Sequence, residues 1–487
     1  MIFAYLRVDM ENVKCSGITR NGKDKITFND FDFRIEKCAN GRLYWICIDK
    51  EKFKCSARMI TSLKLDGNFS VFDKTKAIHN HDVYVKSNLS NTIKDLVSNN
   101  KFIKTSTLLN KIHGEDRLVE DLPLDINLKA RINYFKRKLY PKEPLTVDDL
   151  NVESMSFKTN DDENFVLALS EDKSFLILGT LRNLERLFTS QRWICDGTFK
   201  VVPRLFQQLF TFFGCFYDRY FPLIFVLMQA KSQNAYEDVL NLLMKLRIDN
   251  ELDIADNIEI MLDFEKASAN AFQNVIPNVT IRRCLFHLSQ NVYRKIQECG
   301  LTTLYKSEEV SRCRLKMLPA LSFLPTKDVK VGFNSIREGS SLQLLPVIDY
   351  FDYNYVHGKF KYATRSGIKI FDNPSYPIDE WNASISIGSN KPRTSNYIEG
   401  WHNKLRVLCN GTHINLWELL ELLLGEHHAV WINMQQHLIN GAQLVKSKKQ
   451  CNKDLNIAKL FAKYNAGVLP IDDYLFGVQG NLKMDFP

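Results

Sequence analysis

The sequence predicts an α+β protein of several domains: a small antiparallel β-sheet module, then a basic helical stretch, then a larger domain in which strands and helices alternate. Three observations predict it. Residues 1–86 are short runs of aromatic and β-branched residues broken at Asn21-Gly22, Asn40-Gly41 and Asp66-Gly67, which is a hairpin pattern. From about residue 164, apolar strand-like runs alternate with segments of helical spacing, as in a mixed sheet covered by helices. The length, 487 residues, exceeds one ordinary core of roughly 100–200 residues.

Residues 87–150 change character. SNTIKDLVSN and TSTLLNKIHG read as short helices with Ser or Thr caps, and NLKARINYFKRKLYPKEP as a basic helix stopped by Pro141 and Pro144. In residues 151–410, FVLALS and SFLILGT predict a hairpin, RNLERLFTS a short helix, and RWICDGTFK an apolar strand ending in an acid. LFTFFGCF and FPLIFVLM follow as buried strands. Asp218 and Arg219 interrupt that apolar run well short of the ~20 residues of a membrane helix. AYEDVLNLLMKLR spaces Val239, Leu242, Leu243 and Leu246 along a helix, IEIMLDFE is a strand ending in acids, KASANAF a helix, and VTIRRCLFH a strand running into the helix SQNVYRKIQ. Residues 300–390 hold helical fragments and a Tyr/Asp-rich stretch, and 411–487 read as helical. There, LWELLELLLGEHHAVWI suits core packing or a homodimer face, and the adjacent His427 and His428 point to different sides of a helix.

The formal charge is +9, unevenly placed. Residues 1–150 carry 27 Lys+Arg against 20 Asp+Glu, and residues 151–487 carry 38 against 36. A basic front joined to a nearly neutral body suits a polyanion held at the front. Composition excludes collagen-like and mainly disordered chains, with 45% hydrophobic and 25% charged residues. MIFAYLRVDM has no sustained apolar core, so no signal peptide is expected. Eleven thinly spread cysteines fit a reducing compartment.

Four residues of the front module have metal-ligand chemistry. Cys47 and Cys55 are separated by seven residues, Cys55 and His79 by 23, and His79 and His81 by one. Two thiolates and two imidazoles match tetrahedral zinc, and a thin-cored unit gains much from a metal. Spacing alone is equally compatible with four unrelated residues. The strings FDFRIEK, GRLYWICIDK, CSARMIT and AIHNHD, however, resemble the FLYWCH-type zinc finger over about residues 15–84. That resemblance implies a zinc-stapled antiparallel sheet related to the WRKY-type fold, binding DNA or partner proteins, with Cys47, Cys55, His79 and His81 as zinc ligands and Cys15 and Cys38 as bystanders. Lys50, Lys52, Lys54, Arg58 and Lys64 are candidate phosphate or base contacts, or else a solvated charged face. The basic helix offers Lys129, Arg131, Lys136, Arg137 and Lys138 with no acid between Asp125 and Glu143, either for a phosphate backbone or as an ordinary surface.

In the larger domain, Asp196 and Asp263 each follow a buried strand, where an acid is expensive unless solvated, paired or bound to a cation. Glu399 lies in the first turns of an expected helix. Phosphodiester chemistry uses such carboxylates to hold two cations, but strand-end aspartates also occur without it. Four strings in order, ICDGTFKVVP, MLDFEKASANAF, CLFHLSQNVYRKIQ and TSNYIEGWHNKLR, resemble Mutator-like element (MULE) transposases over about residues 190–405. The resemblance implies an RNase H-like domain with Asp196, Asp263 and Glu399 as a DDE triad binding Mg²⁺ or Mn²⁺, and a helical insertion within the 111 residues between His287 and Glu399. Glu265 is then an auxiliary carboxylate or a helix N-terminal charge, and Cys284 and His287 lie close to the active site. A single Cys-x-x-His supplies only half a tetrahedral zinc site. Trp401 and His402 suit nucleotide stacking or, for the tryptophan, the core. Only Cys451 follows Cys409, so the Cys/His SWIM finger of many relatives is missing. The implied function is a nuclear transposase that cleaves and joins DNA at terminal inverted repeats. The rivals are a catalytically silent regulator at a DNA site and a protein-binding finger.

Overall fold

The computed structural model describes residues 12–18, 24–63, 68–81, 89–99, 105–113, 125–151, 157–365, 369–389, 393–394, 396–409, 414–440, 448–482 and 484. Asn21-Gly22, Asp66-Gly67 and Lys64 lie outside them. Contacts divide the chain into two units, Met1–Asn99 with Thr105–Phe135, and Asn100–Lys104 with Lys136–Pro487.

The first unit opens with six antiparallel strands, β1 (Asn12–Ile18), β2 (Asp24–Phe28), β3 (Phe31–Ala39), β4 (Arg42–Cys47), β5 (Arg58–Leu63) and β6 (Asn68–Asp73). Each pairs with the next, and β1 also pairs with β6, so the sheet closes on itself as a barrel. Asn40 and Gly41 both have positive φ, 50° and 67°, as the expected two-residue hairpin turn requires. Asn29 and Asp30 make a second such turn, at 47° and 64°, that carries no glycine signal. Ile26, Phe33, Trp45, Met59 and Phe69 fill the interior, where the Trp45 indole N–H donates to Thr61 Oγ1 at 2.8 Å. The helices expected next are present, as Leu89–Asn99, Thr105–His113 and Asp125–Lys138. They bury Ile93 and Val97, then Leu108, Leu109 and Ile112, then Leu128 and Ile132.

The second unit is built on a seven-stranded sheet: β7 (Val166–Leu169), β8 (Phe175–Leu178), β9 (Arg192–Thr198), β10 (Gln208–Phe216), β11 (Arg219–Met228), β12 (Ile258–Leu262) and β13 (Val279–Arg283). Its order is β13-β12-β9-β10-β11-β8-β7; β12 runs parallel to β9 and β13, and the other pairs are antiparallel. The β10–β11 turn at Tyr217 and Asp218 is again left-handed, at 51° and 58°, and Asp218 is held by Arg192 at 2.8 Å.

Alternate residues face opposite cores. One face packs Leu184, Leu187, Tyr236, Val239, Leu240, Leu243 and Phe272 from the helices Leu181–Thr189, Gln233–Asp249 and Lys266–Val275. Leu240 thus joins Val239 and Leu243 in the core, while Leu242 and Leu246 are only partly buried. The other face receives Ile398, Trp401 and Leu405 of helix Asn396–Leu408 and the leucine run of helix Leu416–Asn440. The leucine run therefore packs into the core.

Between His287 and Glu399 the chain forms the helices Thr302–Ser307, Glu309–Ala320, Val329–Glu338 and Leu345–Phe351, then a hairpin of β14 (Phe360–Ala363) and β15 (Lys369–Phe371). The hairpin arises where the sequence shows only a Tyr/Asp-rich stretch. Ile457 of helix Lys448–Asn465 and Tyr474, Leu475 and Val478 of helix Ile471–Gln479 share the core of these inserted helices. Among the described residues no helix is long and apolar enough to cross a membrane.

His427, on the leucine-rich helix, is buried, and its Nδ1 accepts from Asn183 Nδ2 at 3.2 Å. His428 Nε2 accepts from the Asn160 N–H at 3.2 Å. Burial, then the neighbouring His428 and Arg182, hold His427 down at about 4, against a smaller opposing effect of Asp161. An unfolded histidine takes its proton near pH 6.5, so between about 6.5 and 4 the unfolded chain binds more protons than the folded one. The His427 contribution is thus complete above that window and lost as pH falls through it. Lowering the pH from 7 to 5 is expected to cost about 2 kcal/mol through this residue. In urea unfolding at the two pH values, His427→Gln should remove that increment.

Candidate metal centre and carboxylate site

The first unit brings all four expected zinc ligands together. Cys47 ends β4, Cys55 follows the single helical turn Lys50–Phe53, and His79 and His81 follow β6. Their ligand atoms all lie within 4.8 Å of one another. Cys47 Sγ is 3.5 Å from His81 Nε2, Cys55 Sγ is 3.4 Å from His79 Nδ1, and the two ring nitrogens are 3.3 Å apart. With Zn–S bonds of about 2.3 Å and Zn–N bonds of about 2.05 Å, a tetrahedron has S···N edges of about 3.5 Å and N···N edges of about 3.3 Å. The spacing fits zinc on all three edges.

The rings are held from outside. Phe31 stacks on His79 at 3.6 Å between centroids and Phe53 on His81 at 4.6 Å, while the Ala57 N–H donates to Cys55 Sγ. Burial, augmented by Cys55 and opposed by the Asp49 N–H, pushes the Cys47 thiol up to about 11. A bound divalent cation removes that proton.

The candidate basic contacts are less uniform than the sequence suggests. Lys50 and Arg58 both reach Glu36, at 3.5 and 3.4 Å. Lys52 lies over the Phe53 ring, and Lys54 is exposed in a left-handed conformation. On the basic helix Lys129, Arg131, Arg137 and Lys138 are exposed, whereas Lys136 is half-buried and held below its ordinary value by burial, partly offset by Glu418.

In the second unit, backbone register brings Asp196 and Asp263 level. Strands β9 and β12 pair Trp193 with Ile260 and Ile194 with Met261. Extended two residues further, that parallel register sets Asp263 beside Asp196 on one face, with strands about 4.8 Å apart. Helix Asn396–Leu408 covers that face through Ile398, Trp401 and Leu405, and so delivers Glu399 there.

The charges register each other. Burial lifts the Asp196 carboxyl to about 7; His287 opposes this, Asp263 adds to it, the Gly197 N–H opposes it, and Glu399 adds again. Burial depresses His287, but hydrogen bonding and charge from Cys284, then Asp196 and Asp263, outweigh it and raise the ring to about 9. His402 Nδ1 lies 3.6 Å from Asp196 Oδ2, and burial holds that ring at about 4. Among the described residues, the Cys/His quartet is the one group of three or more that closes to 4.8 Å.

Glu265 stands at the start of a helix with its carboxylate tied to a tyrosine. It caps helix Lys266–Val275, and its carboxylate accepts from Tyr236 Oη at 3.1 Å, which in turn receives Gln208 Nε2 at 3.0 Å. Trp401 takes the core alternative, stacked on Phe225 at 5.7 Å with its N–H donated to Glu426.

Sequence reasoning missed two residues here. Arg283, buried at the end of β13, donates through Nη1 to the carbonyls of Asp263 at 2.6 Å and Glu265 at 3.2 Å, and through Nε to Glu380 at 2.8 Å. It thereby fixes the turn that carries Asp263. Thr211, paired across the ladder with Asp196, buries a hydroxyl that makes no hydrogen bond. An arginine closing an apolar strand was the available signal for the first; nothing in sequence marks the second.

Two family models match parts of the chain. The family model of the MULE transposase domain matches residues 192–291, which include Asp196, Asp263, Glu265, Cys284 and His287. The model of the FLYWCH zinc finger domain matches residues 18–81, which include all four Cys/His ligands. A comparison with curated proteins finds no match.

Metal analysis of the full chain is expected to give one tightly bound zinc. Stripping it, or Cys47→Ser, should abolish the thermal transition of the first unit and leave that of the second in place, because binding free energy at a structural zinc site is folding free energy. Arg283→Met leaves Glu380 without its partner, so urea unfolding of the second unit should show a loss of about 3 kcal/mol, most of it recovered in Arg283→Met/Glu380→Met.

Proposed function

We propose that the chain is a transposase-like DNA-binding protein whose second unit is an RNase H-like domain with a DDE-type carboxylate site. The convergence of Asp196, Asp263 and Glu399, from two adjacent parallel strands and the helix laid over them, carries this reading. The sheet supports it: β9, β10 and β11 run antiparallel in sequence, and β12 then β13 add in parallel on the far side of β9. The match to the MULE transposase domain over residues 192–291 supports it as well.

The residues fit Mg²⁺ or Mn²⁺, hard cations that take carboxylate oxygens and supply polarisation of a scissile phosphate and activation of a water or 3′-hydroxyl. Asp196, Asp263 and Glu399 would hold the cations. Glu265, fixed by Tyr236, is an auxiliary carboxylate, and His287 contributes a positive charge beside Asp196. Such a site cleaves DNA at an element end, and the freed 3′-hydroxyl attacks target DNA.

Recognition falls to the zinc-stapled barrel, with Lys50, Lys52, Lys54 and Arg58 on its outside, and to the exposed basic residues of helix Asp125–Lys138. A DNA substrate of this kind is consistent with a nuclear location.

Zinc-loaded full chain, incubated with Mg²⁺ or Mn²⁺ and DNA from the sequence that flanks its own gene on either side, is expected to give metal-dependent strand breaks. Asp196→Asn and Asp263→Asn should each slow cleavage by about two to three orders of magnitude while DNA binding persists. Salt-dependent binding with no cleavage in the native chain would leave a DNA-binding regulator and defeat the transposase chemistry.

A further inference from the structure

His402 has no part in that reading, and its ring makes no hydrogen bond within the protein, with Asp196 its charged neighbour. It follows Glu399 by three residues in helix Asn396–Leu408, the spacing that sets two side chains on one side of a helix, while Trp401 turns into the core. Its side chain is 14% exposed. Nδ1 stands 3.6 Å from Asp196 Oδ2, too far for a hydrogen bond, and Nε2 is sealed from solvent and makes none. Buried imidazole nitrogens are normally engaged, by protein, water or metal.

The distance to Asp196 suits metal best. With bonds of about 2.1 Å, neighbouring ligands lie about 3.0 Å apart in an octahedron and about 3.4 Å apart in a tetrahedron. At 3.6 Å, Asp196 Oδ2 and His402 Nδ1 stand about 0.2 Å beyond the tetrahedral edge and about 0.6 Å beyond the octahedral one, so a small closing movement lets them share one cation.

We propose that His402 is a direct ligand of the cation held by Asp196, which makes this a mixed carboxylate–imidazole site that favours Mn²⁺ over Mg²⁺. The inference rests on the carboxylate site proposed above and adds a ligand to it. An all-oxygen set suits Mg²⁺, whereas an imidazole nitrogen is a softer donor that Mg²⁺ gains little from and later divalent metals prefer. The helix that supplies Glu399 thus supplies two donors of different chemistry, three residues apart.

Pulsed electron paramagnetic resonance of Mn²⁺ bound to the zinc-loaded full chain tests this without reference to activity, because a directly bound imidazole imposes a ¹⁴N coupling on the manganese signal. The expected result is a ¹⁴N coupling in the native chain that disappears in His402→Gln. The Mn²⁺ affinity of that variant should fall at least about tenfold, with little change for Mg²⁺ measured by competition. Mn²⁺ that is lost in Asp196→Asn yet shows no ¹⁴N coupling in the native chain overturns the His402 assignment and spares the carboxylate site. A coupling that persists in His402→Gln likewise overturns it. Mn²⁺ binding that is absent, or indifferent to Asp196→Asn, removes the carboxylate site and this proposal with it.

Discussion

The second unit depends on one pairing, that of β9 with β12 in parallel. An antiparallel neighbour would have sent the two acidic strand ends to opposite edges of the sheet. The parallel register sends them to the same edge and the same face of the sheet. Burial does most to raise Asp196 to about 7, and the neighbouring carboxylates Asp263 and Glu399 add to it. The groups around it answer the charge. His287 stays cationic beside it, and Arg283 ties down the turn from behind by its backbone carbonyls, leaving the carboxylate oxygens of Asp263 uncommitted to the arginine.

The first unit solves a different problem. A barrel of six short strands buries few large side chains, and its ligand atoms come from three separate places in the chain. Cys47 and Cys55 bracket a single helical turn, and the two histidines return after β6 to complete a tetrahedron. The aromatic rings Phe31 and Phe53 lie flat against the imidazoles, so the orientation of the ligands is fixed by packing.

Much of this was legible in sequence, for reasons that are themselves physical. The zinc ligands could be read because the strings around them resemble the FLYWCH-type finger, where spacing alone left four unrelated residues equally open. The strands at Asp196 and Asp263 could be read because buried strands are continuous apolar runs and an acid closing one stands out, although β9 runs on past Asp196 to Thr198. Turns without glycine, at Asn29-Asp30 and Tyr217-Asp218, carry a weaker local signal, since positive φ there is enforced by the strands on either side. The insertion was opaque because its core is shared with helices from the far end of the chain, so its apolar faces match no partner nearby in sequence. Arg283, Thr211 and the environment of His402 are long-range facts, created only when β10, β13 and helix Asn396–Leu408 meet.

The distance along the chain between the two aspartates and Glu399 carries a consequence for the order of events in folding. Strands β9 to β13 have their partners within one continuous stretch and can assemble as it emerges, whereas the helix carrying Glu399 arrives only after more than a hundred intervening residues have been made. The sheet face that Ile398, Trp401 and Leu405 eventually cover is apolar and open until then. During synthesis the nascent domain therefore passes through a stage in which its acidic edge is formed but incomplete, and its stickiest surface is uncovered. That stage is when a chaperone has most to offer this chain.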